Sequence, residues 1–132
     1  MCRMIEKLNE ILRKLIGRYD TCGTVYTGTP IQTEVEPHVG TQVNKLTLAA
    51  GTYILSCNMQ FSISSSAPTI VSVQQPNVRT LMIERGTMVN GGGHSLCGII
   101  EFAGGEIVAV VQHGHTEAVK VQQNELKAIR IK

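Results

Sequence analysis

Two imidazoles stand one residue apart in His113-Gly114-His115, and no other residue types in the chain are so well spaced for chemistry. On extended backbone, residues i and i+2 leave the same face, so both rings would point one way. Three copies around an axis would then offer six imidazole nitrogens, an octahedral set suited to iron, nickel or zinc. The pair at His113 and His115 is accordingly the one expected metal site, an axial transition metal. The alternative is two solvent-exposed loop histidines flanking a flexible glycine, because nothing in the spacing puts this loop on an axis.

Nothing else reads as a site. His94 and Cys97 suggest a base and a nucleophile, but three residues apart on a strand they face opposite sides. Asn90-Gly91-Gly92-Gly93-His94 lacks the Gly-Lys-Ser/Thr ending of a phosphate-binding loop, and no helical pattern follows it. Glu34 and Glu36 share a strand face without a partner acid or ligand, so they read as a solvated, charged edge. Arg79, Glu84 and Arg85 read as surface. No catalytic residue and no organic cofactor is expected, and the chain is not read as an enzyme.

The element that must position everything else runs from Tyr53 to Ser64. Tyr53, Leu55, Cys57, Met59, Phe61 and Ile63 alternate with Ser56, Asn58, Gln60, Ser62 and Ser64, and Ile54 is the single exception. Period-two alternation over this length makes a strand with one dry and one wet face. A dry face that long needs an opposing apolar sheet, which means a sandwich. Around it, short β-branched runs are punctuated every eight to twelve residues by Gly28-Thr29-Pro30, Ala50-Gly51, Pro76-Asn77, Asn90-Gly91-Gly92-Gly93 and Gly104-Gly105. The pattern predicts about eight to ten antiparallel strands and an all-β fold. Ser64–Pro68 and Gly114–Gln123 read as loops, the second with a short extended piece, and Glu125–Ile131 as the closing strand.

Only the first nineteen residues are helical in pattern. Met1, Ile5, Leu8, Leu12, Leu15 and Tyr19 step by four and three in turn, the rhythm of a coiled-coil seam. Met4, Ile11 and Ile16 widen the stripe beyond what a dimer needs. Ile5, Leu8, Leu12 and Leu15 are the expected oligomerisation residues. The competing reading is an amphipathic helix packed on its own domain. So short a helix is marginal alone, which calls for a head that also oligomerises. The expected organisation is a helix over 1–19 and one head domain over 20–132.

Composition narrows the partners. The 132 residues suffice for one domain and its core. Charged residues are 17% with net charge +2, so no electrostatic reach toward nucleic acid or anionic lipid is expected. Aromatics are 4% without Trp, which leaves no stacking platform for single strands. No run of about eighteen apolar residues predicts a membrane span. The charge-interrupted start, Met1 to Lys7, is not a secretory signal, so folding in a cytoplasm with Cys2, Cys22, Cys57 and Cys97 reduced is expected.

Leu48-Ala49-Ala50-Gly51-Thr52-Tyr53, followed by a strand ending in Phe61, resembles a segment of the trimeric jelly-roll heads of the tumour necrosis factor and complement globular-head superfamily. Ile99 to Val111 with its Gly104-Gly105 turn, and Leu126-Lys127-Ala128-Ile129-Arg130-Ile131, extend the resemblance over about residues 42–132. Glu106 stands where those heads commonly carry Asp, and the aromatics they place at the three-fold axis are few. The resemblance implies a homotrimeric jelly roll with the final strand inside one sheet beside the N-terminal strand. It implies the kind of head found on bacteriophage fibres, baseplates and capsids. The expected function is a virion structural protein whose trimeric head binds a host-surface component such as a saccharide, with residues 1–19 docking on another virion protein. A capsid decoration or head fibre without a host ligand is the alternative.

Overall fold

The computed structural model describes residues 4, 6–8 and 23–132. Met4, Glu6, Lys7 and Leu8 are helical, and Leu8 is 58% exposed. Ile5, Leu12 and Leu15 lie outside the described residues, as do Cys2 and Cys22. No helix among the described residues is long and apolar enough to cross a membrane.

From residue 23 onward every described element is a strand: β1 (Val25–Thr27), β2 (Thr29–Pro30), β3 (Glu34–Val35), β4 (Thr41–Leu48), β5 (Gly51–Ser62), β6 (Ala67–Gln75), β7 (Arg79–Met88), β8 (Gly93–Phe102), β9 (Gly105–His113) and β10 (Val119–Arg130). They form two antiparallel sheets. The first runs β1-β10-β5-β8, with β3 also paired to β10, and the second runs β2-β4-β9-β6-β7. This is the expected jelly-roll sandwich. The final strand sits between β1 and β5, as the resemblance implied.

β5 is built as its alternation dictates. Tyr53, Leu55, Cys57, Met59, Phe61 and Ile63 are all buried against Val71, Val73, Ile107, Ala109 and Val111 of the second sheet. The turn before β5 has a physical reason for its Tyr. The Tyr53 hydroxyl donates to the Ala49 carbonyl at 2.7 Å, Tyr26 meets the ring edge-on at 6.1 Å, and the Arg130 guanidinium lies 5.9 Å from the ring centre. A buried phenol needs such a partner for its hydroxyl.

β10 corrects the expected loop over Gly114–Gln123, because one strand already begins at Val119. A bulge between Val121 and Gln123 breaks its alternation and hides the first half of the strand in the sequence. β4 bulges between Gln42 and Asn44. The Asn44 amide donates to the Asn124 side-chain oxygen at 2.9 Å, and the Asn124 amide donates to the Val43 carbonyl at 2.8 Å, tying the two sheets where the core is polar. β6 likewise begins at Ala67, inside the expected loop Ser64–Pro68.

Antiparallel pairing fixes the ends of the sandwich. Val25 pairs with Ile129, so the chain enters where it finishes. The loops after β5, β7 and β9 lie at the other end, away from Val25 and Ile129.

Candidate functional site

The exception on β5 belongs to a row. Val25 is registered opposite Ile129, Ile129 opposite Ile54, and Ile54 opposite Ile99. Direct cross-strand neighbours stand about 5 Å apart, within contact of each other's side chains. The four aliphatics therefore form an unbroken stripe across β1, β10, β5 and β8 on the outer face of the first sheet. Val25 is 54% exposed, Ile129 37% and Ile99 70%, and Ile131 beside them is 41% exposed. The next rows toward the loops are polar: Lys127, Ser56 and Cys97, then Glu125, Asn58 and Ser95. A scattered exposed Ile needs no explanation, but an ordered apolar stripe across a sheet is a candidate interaction surface.

A second surface feature lies at the open side of the sandwich, where β7 and β8 end their sheets side by side. Met82, Ile83, Glu84, Ser95, Leu96 and Cys97 line a groove of mixed character there of about 300 Å³, and Ile83 is 46% exposed. At the loop end, Ser64, Asn90, His115, Glu117 and Lys120 surround a polar cleft of about 420 Å³.

His113 and His115 are placed differently from the exposed loop pair that was one expectation. Both rings are buried, with centres 6.4 Å apart and planes 52° to one another. His113 Nε2–H donates to the Val35 carbonyl at 2.8 Å, while its Nδ1 accepts the His115 amide at 3.1 Å. His115 Nδ1 accepts the Glu117 amide at 3.0 Å, so its Nε2–H is the donor toward the Ser64 and Ser65 hydroxyl oxygens at 3.2 and 3.0 Å. All four ring nitrogens are thus used in fastening the β9–β10 loop. A metal taken up here would have to displace those bonds. Among the described residues no three His, Cys, Asp or Glu side chains converge as a metal set.

His94 and Cys97 stay apart, His94 inside and Cys97 exposed. Glu84, read as surface, instead bonds His94 Nδ1 at 2.7 Å, and the Thr69 hydroxyl lies 2.7 Å from Nε2. The order carboxylate, imidazole, hydroxyl resembles a catalytic triad, yet Thr69 is 1% exposed and faces the sheet interior, so no substrate reaches it. Cys57, enclosed in the core, has its thiol pushed up to about 12 by desolvation. It behaves as a small hydrophobe. Glu34 is exposed, paired across the sheet with Lys120.

No protein-family model and no curated protein matches the sequence. Solved structures do match in fold. Eiger, a tumour necrosis factor from S. frugiperda, superimposes with a TM-score of 0.57 at 8% identity, covering 84% of this chain and 94% of that one. Murine APRIL superimposes with a TM-score of 0.56 at 14% identity, covering 80% of this chain and 97% of the other. With the sheet order and the Tyr53 turn, these likenesses establish that the chain has the tumour-necrosis-factor-type jelly-roll fold.

Proposed function

We propose that this chain is a non-enzymatic virion structural protein, a homotrimeric head of the bacteriophage fibre or baseplate kind that presents its loop end to a host-surface component such as a saccharide. The observation that carries the self-association is the row Val25, Ile129, Ile54 and Ile99. The β7–β8 groove, where Ile83 is exposed, is a different patch of the same chain, so edge on face is a heterologous contact. Such contacts close into rings when the rotation permits. The wide heptad stripe of residues 1–19 favours three or more strands and serves as the attachment element to a larger particle protein. With both ends of the head at one pole, the loop end is turned outward.

The alternative is a capsid decoration or head fibre that holds particle proteins and takes no host ligand. It is favoured by the loop-end cleft, whose lining carries no Phe, Tyr or Trp for a sugar ring to stack on. Mass spectrometry of purified particles tests the virion assignment: the chain is expected in the particle fraction, and its absence there contradicts the proposal. A glycan screen of the intact chain separates the two forms. Saccharide binding lost in Glu117→Ala supports host attachment, and no binding supports the decoration role.

A further inference from the structure

Glu125 and Arg85 stand on different sheets, and among the described residues no ion pair holds either side chain. Glu125 is half-buried on the outer face of β10, in the row with Asn58 and Ser95, two rows from Ile129, Ile54 and Ile99. Arg85 is exposed on β7, the edge strand of the second sheet, and exposed Ile83 precedes it by two residues on the same side. The other arginine of β7, Arg79, is already committed to the Glu101 carbonyl of its own chain at 3.0 Å. Arg85 is therefore the uncommitted cation of that edge.

Contacts across the β7–β8 seam give each residue its height along the sandwich. A Cβ on Gly98 would stand 3.2 Å from Met82 Sδ, one on Gly86 would stand 3.5 Å from His94 Cε1, and Arg79 reaches Glu101. The two edges thus run antiparallel, with Ile83 level with Cys97 and Arg85 level with Ser95. Sheet pairing carries those levels across the first sheet, from Cys97 to Ser56 and Lys127, and from Ser95 to Asn58 and Glu125. Arg85 is at the height of Glu125. Ile83 is at the height of Lys127, in the row next to the apolar one, where a lysine stem can cover an aliphatic neighbour and leave its ammonium in water.

A cyclic assembly relates its copies by rotation alone, so each residue keeps its height along the axis. For residues 1–19 of all copies to meet in one bundle, the axis must pass through the pole where the chains enter, which sets it along the strands. We propose that Arg85 of one copy pairs with Glu125 of the next and so fixes the height at which the β7–β8 edge seats on the apolar row. The pairing rests on the self-association proposed above and adds its register. Burial of aliphatic surface stabilises such a contact, but aliphatics alone let two copies slide past one another. The charges do not. A slip of one row, about 7 Å, sets Arg85 against Lys127, like charge on like charge, or against uncharged Gln123 in the other direction. Complementary charges of this kind decide register and partner more than affinity.

Sedimentation velocity of the intact chain through a dilution series, in about 50 mM salt, tests this. Glu125→Arg and Arg85→Glu are each expected to weaken self-association about tenfold or more, and the double reversal in one chain to restore it. Glu106→Arg, the same charge change at another exposed position, is expected to leave association unaltered. In about 0.5 M salt, where exposed charges are screened, the gap between the wild type and each single reversal should shrink. If a reversed chain fails to fold, Arg85→Gln and Glu125→Gln replace it, each expected to weaken association and to lose its salt sensitivity. Single substitutions without effect, or a double reversal no better than the singles, overturn the pairing while the self-association stands. A wild-type chain that stays single throughout overturns both.

Discussion

A Cβ placed on Gly93 would stand 2.0 Å from the Met59 carbonyl oxygen and 3.0 Å from Gln60 Cα. Both obstacles are backbone, so β5 and β8 would have to part. Gly93→Ala is expected to cost about 1–3 kcal/mol, as overpacking generally does, and a denaturant midpoint measures it. Cys57 makes a chemical prediction at the same scale. Its thiol is raised from 9.0 to about 12 by burial. The folded chain therefore keeps a proton that the unfolded chain gives up, and stability should fall as pH rises from about 9 toward 12. Native thiol labelling near pH 8, read peptide by peptide, should modify exposed Cys97 and spare Cys57 until the chain unfolds. Cys57 was legible in the sequence because alternation alone put it inside. The Glu84–His94–Thr69 contact was not, since its members lie 10 and 25 residues apart and meet only when the two sheet edges come together.

Alternation made β5 readable residue by residue, and its one irregularity proved to be the informative position. Ile54 breaks the polar face because it shares a row with Ile129 and Ile99, which no local pattern could reveal. β10 was half hidden for the opposite reason. Its bulge shifts the alternation midway, so Val119 to Gln123 read as a loop. The apolar row yields a prediction of its own. Ile54→Lys or Ile99→Lys puts a charge into the stripe without touching the core, so each variant should keep its β circular-dichroism spectrum and sediment as a single chain. A variant that still sediments as the wild type would show that this face is not the contact. A variant that loses its β spectrum would show that the row serves the fold itself.

The two-sheet architecture followed from strand count and turn spacing, and the Tyr53 turn narrowed it to one jelly roll. Sheet order and the position of β10 between β1 and β5 needed three dimensions, because pairing over that separation has no local signature. The whole chain couples this head to its first nineteen residues. Removing residues 1–18 is expected to leave a folded head, with its β spectrum and core intact, that no longer joins particles. Unchanged incorporation would contradict an attachment role for the segment. The central claim is that the apolar row is covered by another copy of the same chain. Sedimentation equilibrium of the intact protein at micromolar concentration is the most direct measurement of it. The account predicts one species at three times the 14.3 kDa chain mass; a single monodisperse chain at 14.3 kDa would contradict it.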